Sequence, residues 1–177
     1  SEGVVTVRDV IGVIQRAVVI RRIGQDLDTI SAEIGDEASL LALQAEDFEY
    51  GVIETADLVN ADYQARKPRR GSTVFTKLDR LDDDDVYSSA VIADALGFDG
   101  LDEPATPRGI RALADVPRLP DSVRDAILGR FSSYDQLVNA SAERLAEVDG
   151  VGRARASTVR NYLARRGTAL APLDQHG

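Results

Sequence analysis

The residues best placed to do chemistry in this sequence are two glycines and two arginines near its C-terminal end. Gly150 and Gly152 flank Val151, and Arg153 and Arg155 follow at once. Glycine allows a positive φ and lets the backbone approach a ligand without a Cβ in the way. The spacing therefore predicts a tight turn at a helix N-terminus, where the amides of Val151, Gly152 and Arg153 face a phosphate. The Val151 side chain is expected to fill the core and hold this turn rigid.

The surroundings of this turn recur 32 residues earlier in the chain. The pairs that match are Leu145 with Leu113, Val148 with Val116, Val151 with Leu119, Gly152 with Pro120, Val159 with Ile127, and Leu163 with Phe131. The earlier turn reads Pro-Arg-Leu-Pro over 117–120, so it has neither glycine, and its two prolines remove two amide donors. We expect it to contact an anion less well than the later turn, or to do so through Arg118.

The repeated pattern resembles the helix-hairpin-helix motif of DNA-repair and recombination proteins. The resemblance implies a compact, RuvA-like tandem domain that grips both strands of a duplex through its phosphates. One departure from the motif is Ala154, which stands where many members have Lys or Arg. The candidate DNA-binding residues are Arg118, Leu119, Gly150, Val151, Gly152, Arg153 and Arg155.

Composition excludes several other kinds of site. The 177 residues include no Cys and a single His, His176, so one chain has no thiolate metal site, thiol nucleophile or histidine-based triad. The carboxylates of Asp82 to Asp85 are interpreted as acids at a helix start, not as metal ligands. No apolar run is long enough to span a membrane, and no signal peptide opens the chain, which is typical of a cytoplasmic protein.

The formal charge of −9 is unevenly distributed along the chain. Residues 1–104 hold 10 Lys and Arg against 22 Asp and Glu, whereas residues 105–177 hold 11 Arg against 8 acidic residues. A basic module inside an acidic protein points to phosphate as a partner. The basic stretch 66–70 is interpreted as an exposed loop, with a second phosphate contact as the alternative.

Helical periodicity organises the first part of the chain. Apolar residues three and four apart predict a helix over 7–34, capped by Thr6 and ended by Gly35. A second long helix, capped by Asp36 and running to 63, is expected to pack against the first as an antiparallel hairpin. A third helix is expected to run from near Asp82 to Gly97, and the Gly- and Pro-containing segment 98–105 is the expected domain boundary.

The second part of the chain predicts shorter helices, over 121–130, 133–139, 142–147 and 153–166. The expected caps are Thr106 with Pro107, Ser132 and Ser141, and Gly167 is the expected stop. No segment shows the period-two alternation of a strand. The predicted fold is all-α, with a helical linker or spine domain over 1–104 and a tandem helix-hairpin-helix domain over 105–177.

Short motifs in both parts resemble the C-terminal two-thirds of the DisA family of DNA integrity scanning proteins. They are the segments 5–10, 21–23, 62–63, 106–109 and 116–120, which occur in the family's order. The resemblance implies a diadenylate cyclase domain that precedes these segments and joins two ATP into cyclic di-AMP with Mg²⁺ or Mn²⁺. The Asp-Gly-Ala and Arg-His-Arg motifs of that domain do not occur here, and the sequence has no Met. We therefore expect a non-enzymatic piece of a longer protein, without a cofactor of its own.

What the resemblance implies about function is a DNA sensor. The module would bind duplex or branched DNA, contact the missing cyclase domain, and belong to an octameric parent. Two alternatives stay open on the sequence: a protein-interaction or oligomerisation scaffold that uses the same hairpins, and a DNA glycosylase. The glycosylase interpretation is weakened because no Lys follows Lys77 and the first acid beyond Asp149 is Asp174.

Overall fold

The computed structural model describes residues 5–34, 39–64 and 73–169, and helices dominate all three ranges. In chain order these are α1 (Val7–Ile34), α2 (Ser39–Tyr63), α3 (Phe75–Leu78), α4 (Ser89–Leu96), α5 (Ile110–Ala114), α6 (Asp121–Arg130), α7 (Tyr134–Val138), α8 (Ala142–Ala146) and α9 (Gly152–Ala169), with a 3₁₀ turn at Asp85–Tyr87. Within the described ranges, extended pairing is limited to an isolated bridge between Thr6 and Pro104. The all-α class predicted from the sequence is confirmed.

The chain divides into two compact units, Ser1–Ala105 and Thr106–Gly177. The first unit is built on a hairpin in which α1 packs along α2. The Glu49 carboxylate of α2 lies against Gly24 of α1, where a Cβ would collide with it. Ile14, earlier in α1, shares a buried cluster with Val59, later in α2. The two helices therefore run antiparallel.

The start of α1 is held by the segment that ends the first unit. The amides of Val7 and Arg8 donate to the carbonyls of Glu103 and Leu101 at 2.9 and 2.8 Å, which satisfies two donors that a helix start otherwise leaves unpaired. The Asp9 carboxylate accepts from the amide and the hydroxyl of Thr6 at 2.8 and 2.9 Å, and these bonds lower its pKa.

The third predicted helix is shorter than expected. Helix α4 ends at Gly97 as predicted, with φ of 82°, but it begins at Ser89 and not near Asp82. The Ser88 hydroxyl accepts a hydrogen bond from the Val91 amide and caps it. Serine with extended backbone is a strong N-cap, so the helix begins after Ser88 and the acidic residues before it form turns.

Two of the acidic residues before α4 pair with arginines of α1. Arg22 lies 2.5 Å from Asp83 and Arg21 lies 2.6 Å from Asp79. Arg21 also lies over the ring of Phe75 in α3, a short helix that the sequence did not predict. Across the described ranges, no three His, Cys, Asp or Glu side chains are grouped so that they could hold a metal ion.

The far half of the long hairpin keeps apolar side chains exposed. The sequence predicts one continuous apolar face on α1, and Ile14 on that face is fully buried. Ile23, Leu27 and Ile30 are 53%, 44% and 48% exposed, and Phe48 on α2 is 63% exposed. The apolar face continues into the C-terminal half of α1. Among the described elements, α4 and the 3₁₀ turn pack only against its N-terminal half.

The second unit packs α5 to α9 around its own buried cluster. Ser141 caps α8 as predicted, through a hydrogen bond from the Arg144 amide. The cap of α7 is Ser133 and not Ser132, because the Ser133 hydroxyl accepts from the Gln136 amide. The neighbouring Ser132 amide donates instead to the Gln136 side chain at 3.0 Å.

Two further boundaries of the second unit differ from the prediction. Thr106 and Pro107 do not cap a helix, because α5 begins only after Gly109, whose φ is 101°. The Pro107 carbonyl accepts the Tyr134 amide at 3.0 Å. Gly167 does not stop α9, which continues to Ala169. The predicted positions Gly35, Asp36, 66–70 and His176 lie outside the described residues.

None of the described helices is long and apolar enough to cross a bilayer.

Candidate nucleic-acid interface

Two short hairpins make up most of the second unit, and they match at the 32-residue offset. The first hairpin is α5, the turn 115–120 and α6; the second hairpin is α8, the turn 147–151 and α9. Helices α5 and α8 coincide in length and bounds at this offset. The Leu113 amide donates to the Gly109 carbonyl at 3.1 Å, and the Leu145 amide donates to the Ser141 carbonyl at 3.0 Å. The repeat in the sequence is therefore a repeat in backbone structure.

The apolar positions that match between the hairpins are all buried. These are Leu113 and Leu145, Val116 and Val148, Leu119 and Val151, Ile127 and Val159, and Phe131 and Leu163. They belong to one cluster, so the two hairpins share a core and each turn is anchored by its central apolar side chain. This packing fixes the backbone of both turns.

The two turns use left-handed backbone at equivalent positions. Gly150 has φ of 78° and Gly152 has φ of 59°, as expected for residues that let the chain reverse tightly. In the first hairpin the position of Gly150 is taken by Arg118, with φ of 56°. A non-glycine residue in this region costs about 1–2 kcal/mol, so the first turn keeps the fold of the second at the expense of strain. Pro120 takes the place of Gly152.

The amides of the second turn are not all available, which corrects one part of the sequence-based expectation. The Val151 amide donates to the Val148 carbonyl at 3.0 Å and is not free for a ligand. Gly152 and Arg153 are the first residues of α9, where amides have no intrahelical acceptor. Both residues are exposed, and their amides meet no acceptor within the described ranges. Of the three amides predicted to face an anion, only those of Gly152 and Arg153 therefore remain available.

An arginine braces each turn from the helix that follows it. In the second hairpin, Arg155 donates to the Gly150 carbonyl at 2.5 Å. In the first, Arg124 donates to the Leu119 carbonyl at 3.2 Å. On the sequence alone, Arg155 is only a candidate DNA-binding residue, and Arg124 is not singled out. Residue type and position do not distinguish an arginine that donates to a turn carbonyl from one that contacts a phosphate. Arg153 lies exposed beside the two available amides.

Helices α6, α8 and α9 differ in the charge of their first turns. In α6 the first turn holds Asp121, which pairs with Arg124 at 3.0 Å. In α8 the first turn holds Glu143, whose pKa is lowered by hydrogen bonds from its own amide and from the Ser141 hydroxyl. The first turn of α9 holds no acidic residue. A helix N-terminus attracts negative charge, and of these three only that of α9 has no carboxylate of its own in that turn.

We predict that the strain at Arg118 can be relieved by substitution. Arg118→Gly should leave the free energy of unfolding unchanged or raise it by up to about 1 kcal/mol, because relief of the positive φ offsets the greater freedom of unfolded glycine. Arg118→Val should lower it by about 1–3 kcal/mol. Urea denaturation followed by circular dichroism measures both. A valine variant as stable as the glycine variant would contradict the left-handed backbone at this position.

The fold and the turns together define an all-α protein in which a long helical hairpin precedes a repeated short hairpin whose second turn contains two glycines of positive φ. Residues 1–104 match the family model of the DisA bacterial checkpoint controller linker region. The chain therefore belongs to the DisA family, as its short motifs predicted.

Curated relatives extend the match beyond the first unit. The chain is similar to the DNA integrity scanning protein DisA of Streptomyces griseus, with 39% identity over 172 residues, 93% of this chain and 46% of the relative. It is 40% identical to that of Streptomyces avermitilis over 172 residues, with the same coverage. It is 39% identical to that of a Parafrankia species over 170 residues, covering 93% of this chain and 47% of the relative. The chain thus spans about half the length of the curated relatives it matches.

Proposed function

We propose that this chain binds DNA through its phosphate backbone, and that the second hairpin makes the main contact. The observation that carries the proposal is the N-terminus of α9, where Gly152 and Arg153 are exposed and their amides have no acceptor among the described residues. The first turn of this helix also holds no carboxylate. Helix N-termini of this kind bind phosphate. The relatives are named DNA integrity scanning proteins, which supports nucleic acid as the source of that phosphate.

The two hairpins have unequal parts in this proposal. The second hairpin supplies backbone amides and the Arg153 side chain. The first supplies the exposed Arg118 side chain, with Leu119 anchoring its turn, because Pro120 has no amide hydrogen and Asp121 already lies at the start of α6. Contacts to phosphates carry no direct base readout, so the protein would recognise the shape of duplex or branched DNA and not its sequence.

The first unit has a different role in this proposal. Residues 1–104 hold more than twice as many acidic as basic residues, which disfavours contact with DNA. We assign to the long hairpin the role of a spacer between the DNA-binding unit and a diadenylate cyclase domain. The joining of two ATP into cyclic di-AMP, with its divalent metal, is assigned to that domain and not to this chain.

The experiment that tests the proposal divides the chain at the unit boundary. Residues 105–177 expressed alone should bind duplex DNA at least as tightly as the whole chain, because the hairpins are retained and an acidic segment is removed. Fluorescence anisotropy with a labelled duplex, a fork and a four-way junction measures the affinities, and circular dichroism checks that each piece is helical. If residues 1–104 bind DNA and residues 105–177 do not, the proposal is wrong. If neither binds, the hairpins serve as a protein-interaction scaffold.

A further inference from the structure

The C-terminal half of α1 carries an apolar row that the proposed DNA contact does not use. Its members are Ile20, Ile23, Leu27 and Ile30, at successive spacings of three, four and three residues, which place them on one face of the helix. Ile23, Leu27 and Ile30 are exposed. Single exposed apolar residues are common on protein surfaces, but these four form one continuous row, which we call the α1 stripe.

The spacing of the α1 stripe is that of a coiled-coil seam. In a coiled coil, apolar residues occupy positions a and d of a seven-residue repeat, and each inserts between side chains of a facing helix. Here Ile20 and Leu27 take a positions, and Ile23 and Ile30 take d positions. The spacing therefore favours an α-helix as the element that covers the stripe.

The α1 stripe lies beside the contact between α1 and α2. Gly24, in the e position next to the stripe, is buried and lies against the Glu49 carboxylate of α2. Among the described elements, α4 and the 3₁₀ turn pack nearer the start of α1. The side of the stripe away from α2 is the side of the g positions, and it is there that a further helix has room to pack.

The chain around the stripe carries charge of one sign. Residues 23–65 contain eleven Asp and Glu and no Lys, Arg or His. The arginines that precede this segment, Arg21 and Arg22, pair with Asp79 and Asp83. A helix that covers the stripe therefore meets an acidic surface, and a basic helix suits that surface best.

The two g positions that flank the stripe specify the partner further. They are Asp26 and Glu33, and both are exposed. Residues at e and g pair across a coiled coil and set partner choice by their charge. A second copy in antiparallel pairing would set these carboxylates against each other, and in parallel pairing they would meet only the uncharged e positions, Gly24 and Ser31. A second copy thus offers no attractive charge pair, whereas a helix with basic flanks offers two.

We propose that the α1 stripe binds an α-helix of a partner protein, a helix with apolar residues at heptad spacing and with Lys or Arg at the flanking positions. Its apolar side chains pack between Ile23, Leu27 and Ile30, and its cationic side chains pair with Asp26 and Glu33. Recognition of an amphipathic helix by a row of anchors three and four residues apart is a recurring mode of protein binding.

The test uses the full chain labelled with ¹⁵N and three synthetic peptides of three heptads each. The basic peptide is acetyl-(Ile-Ala-Ala-Leu-Lys-Gln-Lys)3-amide, whose lysines at both flanking positions disfavour pairing with itself. The acidic peptide has Glu in place of every Lys. The polar peptide keeps every Lys and has Ser in place of every Ile and Leu.

The basic peptide should bind in the micromolar range and shift the amides of residues 20–33. The acidic peptide should bind at least about tenfold more weakly because it repels Asp26 and Glu33. The polar peptide should bind at least about tenfold more weakly because it buries no apolar surface. Equal binding of the basic and polar peptides, or unchanged amides over residues 20–33, would overturn the proposal.

A charge exchange locates the contact on α1. The double variant Asp26→Lys, Glu33→Lys should bind the basic peptide at least about tenfold more weakly than the parent chain and the acidic peptide at least about tenfold more tightly. The control is the double variant Asp28→Lys, Asp47→Lys, which changes the net charge equally at exposed positions off the stripe. It should change either Kd by no more than about threefold, because exposed charges away from the contact are screened by salt. If the control acts like the first variant, the peptides only follow net charge, and the proposal is wrong.

A further variant tests the apolar contact and the occupant. Leu27→Gln changes an exposed position, so the chain should stay helical by circular dichroism, and the Kd for the basic peptide should rise about tenfold. An unchanged Kd would contradict the proposal. Sedimentation equilibrium should give the parent chain and Leu27→Gln the same mass. A parent chain that dimerises through a contact that Leu27→Gln abolishes would assign the stripe to a second copy and overturn the proposal.

Discussion

Gly152→Val is expected to lower the affinity of the protein for duplex DNA by about ten- to a hundredfold. Gly152 has φ of 59° and nothing within 4 Å of the position that a Cβ would occupy. A β-branched residue there is strained by about 1–3 kcal/mol, and its side chain extends into the open space that an approaching phosphate must use. If the turn keeps its shape, the valine side chain blocks the phosphate. If the turn relaxes, the amides of residues 152 and 153 no longer point toward the phosphate. Anisotropy titration with a labelled duplex measures the change.

The control for this substitution is Gly129→Val. Gly129 lies in α6, and a Cβ there would also meet nothing within 4 Å, but its backbone is helical and far from the turn in sequence. This variant should bind DNA like the parent chain. The charge contribution is tested by Arg153→Ala, which should weaken binding evenly across sequences and reduce the slope of log K against log salt by about one unit. If Gly152→Val folds and binds like the parent chain, the second hairpin is not the phosphate site.

Leu145→Ala is expected to destabilise the second unit by about 2–5 kcal/mol, the range observed for large-to-small changes at fully buried positions. Leu145 is 0% exposed, and it holds α8 against the core that anchors the turn. Urea denaturation, followed by circular dichroism and by hydrogen exchange in each unit, measures the loss. DNA binding should fall only as far as the unit unfolds.

The matched control is Leu43→Ala. Leu43 lies on α2 and is 62% exposed, so its loss should change the free energy of unfolding by no more than about 0.5 kcal/mol. Hydrogen exchange of the first unit should be unaffected by Leu145→Ala. A loss below about 1 kcal/mol at Leu145 would show that the shared core of the two hairpins is not packed as described.

Much of the second unit could be predicted from the sequence, because its constraints are local. Gly150 and Gly152 indicated a positive φ, since the turn needs backbone conformations that other residues adopt at a cost. The burial of Val151 and Leu119 could be expected from the repeat, because apolar residues at matching positions of two hairpins can pack into one shared core. The left-handed backbone at Arg118 was not predicted, because proline and arginine in that turn hide the left-handed position.

Other features depended on contacts that the sequence does not reveal. The position of Arg155 gave no sign that its guanidinium would brace the Gly150 carbonyl, because the same residue type serves equally as a phosphate contact. The start of α4 depended on competition between Asp82 and Ser88 as caps, and propensity alone does not decide between two acceptable caps. The exposure of Ile23 depended on which part of α1 other helices cover, which is a property of the tertiary fold.

The central claim is that backbone amides at the start of α9 hold a DNA phosphate. The most direct measurement is a titration of the ¹⁵N-labelled chain with a short duplex at low salt, followed by amide chemical shifts. The account predicts that the amides of Gly152 and Arg153 shift most, that the hydrogen-bonded Val151 amide shifts less, and that the shifts fade as salt is raised. Unchanged Gly152 and Arg153 amides in a chain that binds the duplex would contradict it.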